Sequence, residues 1–215
     1  MKKQILSFAI VSTLLVACGV ESTETIGGTE TAKTETVKEV LPVISEYTLK
    51  AETSKADWER TLDQKPTKKK IKLFGKMVEM DLGEVKLNSN GNAQLKSGGL
   101  TTTDDAITEA TAIFDMSTFK FAKEKGGGLF DVTKHPNSTL VLSNFADSTA
   151  KGNLTIEGVS KDVEVELTQS KADNTFTLTG SFKVNTLDFP LRETAKAKDI
   201  NKDEIEVDFE FVYGK

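Results

Sequence analysis

Glu204-Ile205-Glu206-Val207-Asp208-Phe209-Glu210-Phe211 decides the fold class. Four apolar side chains alternate with four acids, so an extended chain places Ile205, Val207, Phe209 and Phe211 on one face and every carboxylate on the other. Alternation of this kind marks an antiparallel strand with one wet and one buried face. The pattern recurs in 162–168, with Val163, Val165 and Leu167 inward and Glu164 and Glu166 in water. It recurs again in 175–184, with Phe176, Leu178, Phe182 and Val184 inward. Further strands are expected over 47–54, 56–62, 70–82, 84–87, 106–116, 138–145 and 151–157. Turn signals fall at Asn90-Gly91, Gly98-Gly99, Glu157-Gly158 and Asp173-Asn174. Only 117–125, stopped by Gly126-Gly127-Gly128, reads as a short helix. Eight or more antiparallel strands make the chain all-β, as a sandwich or a closed barrel, because closure removes exposed edges. Twelve Phe against two Tyr and one Trp suit a deep apolar interior, since Phe has no polar tip to satisfy.

Composition bounds the chemistry. The chain has 215 residues, 37% hydrophobic and 28% charged, with 4 prolines, which excludes a fully disordered, collagen-like or polytopic membrane protein. A net charge of −5 argues against a nucleic-acid partner, which needs a basic face for phosphates. One Cys forbids an internal disulfide, and one His leaves few routes to a metal site or a catalytic triad, so no metal, cofactor or catalysis is expected. Lys2 and Lys3 followed by the apolar run 5–16 read as a secretory signal, too short to span the ~20 residues of a bilayer. The run ends in Leu15-Val16-Ala17-Cys18-Gly19, which resembles the lipobox of bacterial lipoproteins. That resemblance implies cleavage before Cys18, its diacylation, and tethering to a membrane by two acyl chains. Gly19 in place of Asp points to the outer membrane or cell surface. Cleavage removes Lys2 and Lys3 and takes the net charge from −5 to −7. The Thr/Glu-rich stretch 18–41 cannot bury enough surface to fold and is expected to be a disordered tether, leaving 42–215 as the globular domain.

Within that domain, Phe130-Asp131-Val132-Thr133-Lys134-His135-Pro136, followed by Lys151-Gly152-Asn153-Leu154-Thr155-Ile156-Glu157-Gly158-Val159-Ser160-Lys161, resembles the YceI-like family. Asp115-Met116-Ser117 and the run 199–205 agree with it, and the resemblance extends from about Tyr47 to the C-terminus. It implies a lipocalin-like antiparallel β-barrel of about eight strands in the bacterial envelope, holding a long polyisoprenoid or similar amphiphile without catalysis. Two departures stand near the expected mouth. Asn185-Thr186-Leu187-Asp188-Phe189-Pro190 replaces an Arg-x-x-Phe/Trp-Gly motif, and the loop from Met116 to Phe130 is short. The partners expected are an isoprenoid-like lipid inside and the membrane through Cys18; a homodimer is compatible with the sequence. Interior-facing candidates for the ligand site are Leu73, Phe114, Phe119, Phe121, Phe130, Leu140, Leu142, Phe176, Phe182, Phe189, Phe209 and Phe211.

Each motif also has a plainer meaning. Asp104-Asp105, Glu164/Glu166 and Asp203-Glu204 are carboxylate pairs of the kind glycoside hydrolysis uses, but 164 and 166 alternate against apolar positions and read as a solvated face. His135, extended by the following Pro136, is a turn residue before it is a headgroup ligand. Trp58 at strand spacing reads as core. Lys68-Lys69-Lys70 reads as a solvated turn, with a patch for anionic lipid headgroups as the alternative. Ser97-Gly98-Gly99 lacks the strand-turn-helix context of a nucleophile elbow. The main rival to a lipid-holding barrel is one packed solid, acting as a structural or interaction module. An elongated apolar cavity favours the first; a filled interior with an exposed apolar patch favours the second.

Overall fold

The computed structural model describes residues 41–66, 68–119, 129–189, 191 and 200–215. The signal, lipobox and tether readings, Phe121 and most of the expected 117–125 helix lie outside them. The described chain forms β1 (Ile44–Leu49), β2 (Lys55–Gln64), β3 (Lys68–Leu73), β4 (Lys76–Asp81), β5 (Val85–Asn92), β6 (Gln94–Thr103), β7 (Ala106–Asp115), β8 (Asn137–Phe145), β9 (Thr149–Ile156), β10 (Val159–Ala172), β11 (Thr175–Asn185) and β12 (Ile200–Gly214). Strands β6 to β12 pair antiparallel in chain order. β1 pairs β6 on one side and β12 on the other, through Thr48 with Gly214 and Leu49 with Tyr213, so a ring of eight strands closes. β2 carries β1 onward past a turn and pairs β12 from Lys55 to Gln64, while β5 runs on into β6 and pairs β2. β3 and β4 form a separate two-stranded sheet beyond the ring.

The alternation read from 204–211 sets the wall. Ile205, Val207, Phe209 and Phe211 are buried, and Asp208 on the opposite parity is exposed. Val165 and Leu167 are likewise buried with Val163 half-buried, while Glu164 and Glu166 face water. The interior is dense: Phe209 stacks on Phe211 at 4.2 Å between ring centroids, and Tyr47 meets Phe176 edge-on at 4.9 Å. Tyr213 is buried and donates its hydroxyl to the Thr111 carbonyl at 3.2 Å; burial pushes its phenol well above the ordinary tyrosine range. Asp104 and Asp105, with φ of 50° and 68°, form the β6–β7 turn, and Glu157-Gly158, at 50° and 79°, form the β9–β10 turn. Both pairs have the two positive φ values that suit the right-handed twist of a hairpin.

Several expectations need correction. The stretch 70–82, read as one strand, is a hairpin, because Phe74-Gly75 makes a two-residue turn with φ of 48° and 78° where no Asn or Asp marks it. Asn90-Gly91 and Gly98-Gly99 are not turns but lie inside β5 and β6, and β6 was not anticipated as a strand. Their glycines answer to close approach. A Cβ on Gly98 would stand 2.1 Å from the Thr111 carbonyl oxygen of β7, and one on Gly91 would stand 2.8 Å from the Trp58 ring. The described chain after β7 makes a 3-10 turn, Met116–Thr118, and a second one, Thr186–Asp188, follows β11.

Adjacent glycines therefore differ in what they tolerate. Gly98→Ala drives a methyl into backbone and is expected to cost about 1–3 kcal/mol. Gly99→Ala meets only the Tyr47 carbonyl at 3.6 Å and is expected to stay within about 0.5 kcal/mol of the parent. Urea unfolding of the two variants checks the contrast; equal losses would mean that β6 does not lie in this register.

Candidate ligand site at one end of the barrel

The strand registers gather a set of ends. Asp115 at the end of β7 lies beside Asn137 at the start of β8, Asn185 at the end of β11 beside Glu204, and Gln64 at the end of β2 beside Val85. The two 3-10 turns, the β9–β10 turn and the β3–β4 hairpin all belong to this end. Asp115 caps the first 3-10 turn by accepting from the Ser117 hydroxyl at 2.7 Å and the Ser117 N–H at 3.0 Å. The Ser117 hydroxyl is the largest cause, with the Ser117 N–H and Lys96 adding to it, that holds the Asp115 carboxyl below the usual range. The turn leaves Met116 buried. Phe119 follows, half-buried, stacked on Trp58 at 6.0 Å and edge-on to Phe130 at 6.0 Å.

Phe130 is placed by its neighbours in sequence. The Asp131 N–H donates to the Glu157 carboxylate, and the His135 N–H donates to the Asp131 carbonyl at 2.8 Å, so the 130–136 segment is pinned over the β9–β10 turn. This contact brings the 130–136 and 151–161 segments together. His135 lies in the 130–136 segment with its ring near Gly158 of the β9–β10 turn, half-buried rather than in the interior.

Beneath these loops lies a cavity of about 30 Å³. Phe114, Met116, Phe119 and Phe130 line one side, Leu154, Ile156, Phe182 and Val184 another, and Ile205 and Val207 of β12 close it. Among the described residues its wall carries a single hydroxyl, Ser138, which already donates to the Thr155 carbonyl at 2.8 Å. Such a surface offers nothing to a polar or charged group and everything to a hydrocarbon.

One step toward the rim is a charge pair the sequence reading passed over. Arg60 on β2 donates from Nε to Asp203 Oδ1 at 2.7 Å and from Nη2 to Oδ2 at 2.8 Å. The two side chains are 6% and 3% exposed, and the Asp203 carbonyl accepts from the Thr186 hydroxyl at 3.2 Å. Asp203 shares the inward parity of Ile205 and Val207, and Arg60 that of Trp58 and Leu62; a charge at each of those positions was the available signal. The two parallel bonds neutralise the Asp203 carboxylate with the Arg60 guanidinium.

Of the candidates, Phe114, Phe119, Phe130 and Phe182 come together in the cavity wall. Leu140, Leu142, Phe176, Phe189, Phe209 and Phe211 are buried in the packed core. Leu73 was misassigned: it is 43% exposed on β3, because the hairpin carries it beyond the ring. Phe121 lies outside the described residues. The periodic reading had Val184, Ile205 and Val207 as inward residues but did not assign them to a site, and it missed Met116 and Ile156 at strand ends.

The family model for the YceI-like domain matches residues 47–213. The chain belongs to the YceI-like family. No curated protein matches this YceI-like chain. Among solved structures, BcnA of Burkholderia cenocepacia aligns at 17% identity and a TM-score of 0.44, covering 76% of this YceI-like chain and 98% of its own.

Proposed function

We propose that this YceI-like barrel is a non-catalytic envelope lipoprotein that takes the apolar chain of a polyisoprenoid-like lipid through its aromatic end, with the headgroup left outside. The observation that carries the reading is the cavity wall, apolar among the described residues except for a hydroxyl already bonded. Each methylene moved from water into it contributes ~0.8 kcal/mol. A cavity of about 30 Å³ admits little more than one methylene, so a chain must displace side chains. Phe119 and Phe130, carried by loops, are the ones that can yield; Phe114 and Phe182 are fixed on strands.

Phe119→Ala is expected to cost about 1–2 kcal/mol of stability, since the ring is only half-buried, and to raise the amount of lipid that co-purifies. Native mass spectrometry of the protein purified from membranes makes the measurement. The rival, a solid interaction module, is favoured by the small cavity and the tight Phe209–Phe211 stack. It requires that neither wild type nor Phe119→Ala carry lipid. The anchor has its own test. Cys18→Ser is expected to release the barrel from the outer membrane or to leave the precursor uncleaved, and a mature-sized variant still in the membrane fraction would exclude Cys18 as the attachment.

A further inference from the structure

The β3–β4 hairpin stands outside the ring and, among the described strands, pairs only with itself. A lone two-stranded ribbon is marginally stable in water. Its register divides its side chains. Ile71 opposite Val78 and Lys69 opposite Met80 share a face with Leu73, while Lys68, Lys70 and Lys72 share the other with Asp81, Glu79 and Met77. At the apex Phe74 is 103% exposed and holds a φ of 48°, a left-handed conformation that a bulky side chain adopts at a cost. Met77 beside it is 63% exposed. Five lysines against two acids give residues 68–81 a net charge of +3 in a chain of net −5.

We propose that this hairpin is a membrane-docking arm whose apex inserts among the headgroups of a bilayer carrying anionic lipid. The most exposed apolar residues of the hairpin, Phe74 and Met77, stand at the tip, while Met80 and Leu82 continue the apolar surface toward the base. The lysine stems run beside them and bring ammonium groups to the level of the phosphates. A net charge of +3 is drawn to anionic headgroups. The exposed Phe74 and Met77 beside the lysines form an apolar tip flanked by cations, which fits the boundary between phosphates and acyl chains. The arm rises from the barrel end that holds the cavity, so docking turns that end toward the membrane from which a lipid would come. To that extent the inference rests on the proposed function. The 23 residues from Cys18 to Leu41 can reach at most about 80 Å, against about 50 Å for the fifteen residues of β12, so an anchor permits this orientation.

All the described strands lie between residues 44 and 214, so a chain begun at Gly19 keeps the ring and lacks the anchor. Flotation of that chain with vesicles of phosphatidylcholine alone, or with about one-third phosphatidylglycerol, reads the arm by itself. The wild-type chain is expected to float at least about tenfold better with the anionic vesicles. Phe74→Asp, and the triple exchange Lys68→Glu, Lys69→Glu, Lys70→Glu, are each expected to lower that binding about tenfold with the melting temperature unchanged. A wild-type chain that stays in solution, or a Phe74→Asp variant that floats equally well, overturns the arm. A dimer that Phe74→Asp dissolves assigns the face to a second copy and also overturns it. Lipid retention and Cys18 acylation are measured on the anchored protein, so failure of the arm leaves those results standing.

Discussion

Arg60→Met is expected to cost the barrel about 3–5 kcal/mol of stability, far more than the loss of any surface ion pair. The reason is the partner left behind. Asp203 is 2% exposed, and without Arg60 its carboxylate loses both short charge-assisted bonds in a place water does not reach. Lys68 and Glu79 make the contrast: they approach to 3.4 Å with side chains 67% and 47% exposed, and breaking them should change stability by less than about 1 kcal/mol. Exchanging both interior partners for apolar residues of similar size, Arg60→Met with Asp203→Leu, is expected to restore part of the loss, because the Asp203 carboxylate is no longer buried without its guanidinium. Guanidinium unfolding of the three variants tests the argument. A double variant as unstable as Arg60→Met would mean that the pair acts by fixing the register of β2 against β12 rather than by satisfying charge.

That pair also shows what alternation can and cannot tell. The parity of β12 was legible over 204–211, and it extends by one step to Asp203; the acid was visible on the buried side of its own strand. Arg60 was visible in the same way between Trp58 and Leu62. What two separate parities do not state is that the residues meet, because that depends on pairing between segments 143 positions apart. The cavity was hidden for a related reason. Phe182 and Phe211 occupy equivalent inward positions, and only height along the barrel, set by the registers of neighbouring strands, makes one a cavity wall and the other solid core. β6 was missed because Leu95 and Leu100 break its alternation and its glycines mimic a turn while serving close strand contact. The hairpin was missed because its apex carries Phe where turn chemistry favours Asn, Asp or Gly. Local sequence rules failed at the apex, which carries the most exposed large apolar side chain among the described residues.

Phe182→Ala is expected to destabilise the lipid-free barrel by about 3 kcal/mol, and by less when lipid fills the site. Phe182 is 4% exposed, lies opposite Val207 across β11 and β12, and is tilted against Phe209 at 6.1 Å. The adjoining void, about 30 Å³, is small beside a phenyl ring, so protein atoms contact most of that ring and their loss is felt. Phe211, 0% exposed and stacked on Phe209, should lie nearer the ~5 kcal/mol end of the range. The difference between the two positions appears with ligand. Truncating Phe182 enlarges a cavity that a hydrocarbon chain can occupy, so part of the loss should return in lipid-loaded protein. Truncating Phe211 opens a gap in the packed core behind the cavity wall, where its ring meets Phe114 edge-on at 6.0 Å but does not itself line the cavity. Phe182→Asp should either unfold the barrel or empty it, because an unpaired carboxylate in that wall costs far more than a missing ring. Unfolding free energies of delipidated and lipid-loaded protein, measured for all three variants, decide the matter. An identical loss for Phe182→Ala in both forms would place its ring in ordinary core and remove one wall from the proposed site.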